Sequence, residues 1–170
     1  IMDFGAVQCT PQSPNCLFCP LSGSCRALSE GKVQQLPVKQ HRTKTTNRYF
    51  NYIYVRMGAH TLIHKRTEDD IWKNLFELPL VETEKDLSEE EFLACPQFHA
   101  LFAEGEVRMV RILLRGVKHV LSHRVIYTNF YEVTLPDNSS SFSSYQRVAV
   151  EDLDRYAVPR LIHAFLEKYV

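Results

Sequence analysis

The chain has 170 residues, 45% of them apolar, and 20 basic side chains balance 20 acidic ones. That length and apolar content allow one buried core with a small appendage. No apolar run approaches twenty residues, which excludes a membrane-spanning helix, and zero net charge gives no overall attraction to a polyanion. The charge is unevenly spread, however. Residues 26–66 carry nine Lys/Arg against one acid, 67–106 twelve acids against two bases, and 107–135 five bases against one acid. Segregation of this kind predicts a basic face and an acidic face on one folded body. Ile1 is no initiator and opens inside an apolar helical pattern, so the chain is expected to be the tail of a longer protein.

In chain order, residues 1–25 read as a short helix and a cysteine loop broken by Pro11, Pro14 and Pro20. Residues 26–48 are polar and basic with little periodicity, and are expected to be a connector. From residue 49 to 170 the pattern becomes α+β. Tyr49–Met57 is a strand that turns through Gly58-Ala59-His60 into Thr61–Arg66, a hairpin. Phe76–Val81 reads as one short strand. Ser88 with Glu91 makes a capping box for a helix from Glu89 to about Leu101, bent or split at Pro96. Val107–Leu114 and Val117–Leu135 read as strands, the second interrupted by a loop at Leu121–His123. A serine-rich turn from Asp137 to Ser144, a strand near Gln146–Val150 and a helix from Pro159 to Tyr169 complete the chain. Leu161, Ile162, Phe165 and Leu166 form the apolar stripe of that helix. Trp72 and Phe76-Glu77-Leu78-Pro79 read as core and turn scaffolding, and Cys95 as a small packed or surface thiol.

Four of the five cysteines, Cys9, Cys16, Cys19 and Cys25, form a C-x6-C-x2-C-x5-C run. Thiolates so close in sequence point to a metal or cluster site. Structural zinc sites usually combine two close C-x2-C pairs, of which only Cys16 and Cys19 make one here. Ferredoxin runs are tighter. A pair of disulfides is the remaining alternative, and no secretory mark argues for it.

The spacing and the lead-in Met2-Asp3-Phe4-Gly5-Ala6 resemble the C-terminal cluster loop of the endonuclease III superfamily of DNA glycosylases. Residues 62–66 through 71–79 (LIHKR…IWKNLFELP) and Lys118-His119-Val120-Leu121-Ser122-His123 are similar to segments of its MutY-type adenine glycosylases. That resemblance implies an α+β fold: a Nudix/MutT-like mixed sheet with flanking helices, preceded by a short helix and the four-cysteine loop. It implies a 4Fe-4S cluster on Cys9, Cys16, Cys19 and Cys25. Four thiolate ligands leave no open iron, so the cluster's part would be structural or redox.

The same resemblance implies the C-terminal part of an enzyme that removes adenine mispaired with 8-oxoguanine or guanine. The expected partners are double-stranded DNA with 8-oxoguanine·A or G·A pairs and an N-terminal catalytic domain outside this chain. The expected location is the bacterial cytoplasm, on DNA. The catalytic acid and aspartate of the family lie upstream of the cysteine loop, so no catalytic residue is assigned and the fragment alone is expected to excise nothing. Leu121, Ser122 and His123 fall where the family reads the lesion. A hydroxyl that both donates and accepts suits the N7 donor and O8 acceptor of 8-oxoguanine. Leu121 stands where the family usually has phenylalanine, which removes a stacking face.

Lys39, Arg42, Lys44, Arg48 and His119 are candidate contacts to the DNA backbone, because Thr10-Pro11-Gln12-Ser13-Pro14-Asn15 between the first two cysteines has no positive charge. Nudix hydrolysis needs metal-binding carboxylates in a G-x5-E-x7-RE-x2-EE-x-G box, which Glu89-Glu90-Glu91 does not supply. The rival reading is a zinc-stabilised binding module joined to a degenerate Nudix fold.

Overall fold

A computed structural model describes residues 2–10, 12–36, 45–103, 105–139, 141, 142 and 144–170. The chain divides into two compact units, Ile1–Thr43 and Lys44–Val170. In the first, α1 spans Met2–Gln8 and α2 spans Arg26–Ser29, with a 3-10 turn at Ser22–Ser24 between them. Tight turns carry the chain from cysteine to cysteine. The Cys19 amide donates to the Cys16 carbonyl at 3.2 Å, Ser22 to Cys19 at 3.0 Å, and Cys25 to Ser22 at 3.3 Å.

Helix α2 falls in the stretch expected to be a connector. It is one turn long and closes with a Schellman motif: Lys32 N–H donates to Ala27 O at 2.8 Å and Gly31 N–H to Leu28 O at 3.1 Å. Gly31 takes φ +64° there, a conformation that costs glycine little.

Among the described residues, the second unit holds seven strands: β1 Thr46–Arg56, β2 His60–Lys65, β3 Phe76–Glu77, β4 Leu80–Thr83, β5 Met109–Val120, β6 Arg124–Thr134 and β7 Gln146–Ala149. Its helices are α3 Glu89–Leu93, α4 Pro96–His99 and α5 Arg160–Tyr169. One sheet has the order β4-β1-β6-β5 and the other β3-β2-β7. Strand β1 runs parallel to β6 from Thr46↔Arg124 to Arg56↔Thr134, and every other pair is antiparallel.

Six consecutive residues of β1, Phe50 to Val55, are buried. A strand reads this way only when both faces of its sheet are covered. Phe50, Tyr52 and Tyr54 join Phe130, Ile162 and Phe165 on one face. On the other, Ile53 and Val55 join Tyr131, Val133, Phe92 and Phe98. Helix α5 therefore covers the first face, with Phe165 stacked on Phe130 at 4.1 Å. Helices α3 and α4 supply Phe92 and Phe98 to the second.

Several expectations change in detail. Gly58 (φ +57°) and Ala59 form the expected turn, but only Met57↔His60 is bridged across it, and β1 and β2 then enter different sheets. Phe76–Val81 is two strands, one in each sheet, because Leu78-Pro79 interrupts the ladder. The long helix divides: Cys95 is extended (φ −74°, ψ 142°) ahead of Pro96, which opens α4. The Ser88–Glu91 capping box is present in full. Val107–Leu114 and Val117–Val120 merge into β5, whose register shifts between Ile112 and Val117. Gly116 (φ +68°) lies in that irregularity, and its amide donates to Asn129 Oδ1 at 2.9 Å. Asn129 Nδ2 in turn donates to Asn51 Oδ1 at 3.1 Å, so a buried amide pair ties the bulge to the centre of the sheet. Pro159 caps α5 from just outside it.

Candidate nucleic-acid interface and cysteine site

Strands β5 and β6 are joined by Leu121-Ser122-His123, with Ser122 and His123 at the turn. The Leu121 amide closes it by donating to Arg124 O at 2.8 Å. The Thr46 amide donates to His123 O at 3.1 Å, which ties the turn to the first residue of β1. Ser122 and His123 are exposed at the tip, and Val120 beside them is 65% exposed. Leu121 faces the other way, half-buried against the core that contains Phe50 and Phe130. Of the three expected reading residues, two are therefore offered to solvent and the third anchors them. His119 is half-buried, its ring 5.8 Å from that of Trp72.

Beneath this hairpin lies a charged cluster outside the residues singled out from the sequence. Arg66 is buried, and its Nη1 donates to both oxygens of buried Glu77 at 2.8 Å. Glu77 also accepts from Tyr52 Oη at 3.0 Å and lies 3.2 Å from His64 Nε2. Asp70 accepts from three guanidinium groups: Arg48 at 2.5 Å, Arg66 at 3.2 Å and Arg124. Arg48 also makes a two-pronged pair with Glu82 at 2.6 Å. Burial works against the Asp70 anion, yet hydrogen bonds from Arg48, the Ile71 amide and Arg124 outweigh it and hold the carboxyl well below the usual range. Burial, then the charge of Glu77, raises the Tyr52 phenol well above its ordinary value, so it remains a donor.

Arg48, His64, Arg66, Asp70, Glu77 and Glu82 line a cavity of about 280 Å³. Three arginines from the basic stretches and three acids from the acidic one thus pair with each other here. Arg48, a candidate backbone contact, has its guanidinium held by two carboxylates and turned into this cluster. Lys39, Arg42 and Lys44 lie outside the described residues.

A sequence signal for the cluster did exist. Glu77 sits between Phe76 and Leu78, and a carboxylate inside an apolar strand needs a buried partner. The loop that brings Asp70 into place carries two non-glycine residues at positive φ, Trp72 (+59°) and Asn74 (+70°). Such a backbone is costly for a bulky side chain and persists only when its surroundings enforce it. Trp72 packs edge-on against Phe50 at 6.2 Å, and Arg66 Nε donates to Ile71 O at 3.0 Å. The acids of α3 have another part: Glu91 closes the capping box and Glu89 and Glu90 fill the first turn.

In the first unit, Cys9, Cys16, Cys19 and Cys25 are free thiols that line one small cavity with Gln8, Pro14 and Asn15. Thiolates are the soft ligand type that iron–sulfur and zinc sites use. Among the described residues no three His, Cys, Asp or Glu side chains form a group that could hold a single metal ion. None of the described residues of this unit is buried, and Leu17 and Phe18 are exposed.

Residues 51–168 match the family model described as NUDIX domain. The chain is 36% identical over 83 residues to an adenine DNA glycosylase of Buchnera aphidicola subsp. Schizaphis graminum, which covers 49% of this chain and 24% of that protein. It is 26% identical over 172 residues to the adenine DNA glycosylase of Buchnera aphidicola subsp. Acyrthosiphon pisum, covering 99% of this chain and 46% of the relative. The chain thus spans less than half the length of either. Among solved structures it resembles the C-terminal domain of mouse MUTYH, crystallised in complex with human PCNA. That match has TM-score 0.55 and 15% identity, over 72% of this chain and 86% of that one, and supports the fold alone. No helix among the described residues is long and apolar enough to cross a membrane.

Proposed function

The chain belongs to the NUDIX domain family, and from that premise we propose that it is the lesion-reading part of an adenine DNA glycosylase acting on adenine opposite 8-oxoguanine or guanine. The observation that carries the proposal is the Ser122-His123 turn, exposed at the tip of two long strands and fixed from both sides by backbone hydrogen bonds. A reader of one altered base edge must hold its polar atoms in place before DNA arrives, since loop ordering weakens binding. Ser122 Oγ can donate to O8 and accept from N7–H of 8-oxoguanine, whereas guanine offers only an acceptor at N7. Leu121 packs inward and secures the turn, so recognition here rests on hydrogen bonds more than on an inserted side chain.

Cys9, Cys16, Cys19 and Cys25 would hold the 4Fe-4S cluster, which would cross-link the turns of a loop too short to build a core. The exposed Leu17 and Phe18 suit packing against a catalytic domain, the expected source of the excising residues. The chain alone, with neither of the family's catalytic acids, should bind DNA and release no adenine.

Binding to duplexes with a central 8-oxoguanine·A or G·A pair tests the reading. One neutral hydrogen bond is worth about 0.5–1.5 kcal/mol, so Ser122→Ala should reduce the preference for the lesion about two- to twelvefold. An unchanged preference would refute the assignment of the turn. For the cysteines, anaerobic purification with assays of iron, acid-labile sulfide and zinc separates the alternatives. About four irons and four sulfides per chain supports the cluster, and one zinc without sulfide supports the binding-module reading.

A further inference from the structure

Two contacts connect the Arg66–Leu75 loop to the β5–β6 hairpin. Asp70 Oδ1 accepts from Arg124 Nη1, and Arg124 is the residue that closes the Ser122-His123 turn. The Trp72 ring lies 5.8 Å from that of His119, on the opposite strand of the hairpin. Both arms of the hairpin thus rest on one loop, and that loop holds the unusual backbone at Trp72 and Asn74.

We infer that Asp70 is a positioning residue for lesion recognition, fixing the Ser122-His123 turn through Arg124. The inference rests on the reading of that turn proposed above. The carboxylate is well suited to this. Its second oxygen, Oδ2, is held by Arg48 at 2.5 Å and Arg66 at 3.2 Å, so the oxygen that meets Arg124 cannot swing away. Arg66 is itself locked on buried Glu77. A guanidinium held in this way has few alternative rotamers, and its backbone carries the carbonyl that closes the turn. Asp70 touches no base in this scheme. It removes freedom from the residue next to those that do, which is how supporting contacts sharpen a binding site.

A stabilising role alone would act on the whole domain, so the test needs a control within the same cluster. Glu82 pairs with Arg48 but has no bond to Arg124, which makes Glu82→Gln that control. The full 170-residue chain is titrated with 8-oxoguanine·A and G·A duplexes, and the ratio of the two affinities is read beside the melting temperature. Asp70→Asn and Arg124→Met are both expected to lower the ratio about two- to tenfold. Glu82→Gln is expected to lower the melting temperature and leave the ratio in place. In the Asp70→Asn/Ser122→Ala double variant the loss should be no greater than in Ser122→Ala alone, because the first change acts through the second residue.

If Ser122→Ala lowers the ratio while Arg124→Met and Asp70→Asn do not, the inference is overturned and the reading of the turn survives. If Ser122→Ala itself leaves the ratio unchanged, both fall. Should Asp70→Asn fail to fold, Arg124→Met alone decides, since it leaves the bonds of Asp70 to Arg48 and Arg66 available. A ratio that follows melting temperature across all the variants, Glu82→Gln included, also overturns the inference.

Discussion

The pair between Arg66 and Glu77 invites a direct measurement. Arg66 is 9% exposed and Glu77 2%, and no other guanidinium bonds to that carboxylate among the described residues. Arg66→Met keeps the apolar stem and removes the charge. Glu77 would then retain only Tyr52 Oη and His64, while Ile71 O would lose its donor. Breaking one half of a buried pair typically costs about 3–5 kcal/mol, because a charge is left behind without compensation. Against a total stability of about 5–15 kcal/mol that is a large fraction. For a domain of this size it corresponds to a fall of about 10–20 °C in melting temperature.

Urea unfolding followed by circular dichroism measures the loss, and an unchanged slope confirms that the native fold is retained. Replacing both partners, as Arg66→Met with Glu77→Leu, should recover most of the loss, since no charge then remains buried. A single-variant loss below about 1 kcal/mol would refute the reasoning. Water in the adjoining cavity would then be compensating Glu77 as well as Arg66 does.

Three further outcomes are expected. Gly58→Ala places a methyl group 2.9 Å from Asp137 Oδ1 on a backbone at φ +57°, and should cost about 1–2 kcal/mol in chemical denaturation. Asp70 has a folded-state pKa below its unfolded value near 3.9, so its contribution is complete above about pH 5 and is lost as pH falls below about 4. The gap in melting temperature between wild type and Asp70→Asn should therefore be widest near neutrality and close in acid; a gap that widens in acid contradicts the pairing. Trp72 is the single tryptophan and lies against His119, so its fluorescence should respond when a lesion duplex binds. That response should fall away in His119→Ala.

Local features were legible in the sequence and partnerships were not. The Ser88–Glu91 cap, the break at Pro96 and the stripe of α5 all act within a few residues, and all are present. The loop at Leu121–His123 was legible as an interruption between strands, and it separates β5 from β6. By contrast, nothing in the short apolar run Phe76–Val81 says that its halves belong to different sheets. That division depends on the partners β2 and β1. Charge misled in the same way. Arg48, Arg66 and Arg124 lie in basic stretches and Asp70, Glu77 and Glu82 in an acidic one, so they read as separate surfaces until the fold brings them together. Only Glu77, set among apolar neighbours, hinted at this.

The parallel pairing of β1 with β6 also constrains the order of folding. Asn51 and Asn129 face each other across 78 residues of chain, and the eleven-residue register they share forms the middle of the larger sheet. Closing so long a loop costs conformational entropy before any contact offsets it, which places the domain among slower folders. On the ribosome, β1 and its other neighbour β4 are made long before β6 exists. The edge of β1 that β6 will cover, including its six-residue buried run, must therefore stay unpaired through most of synthesis, exposed to whatever else can add a strand.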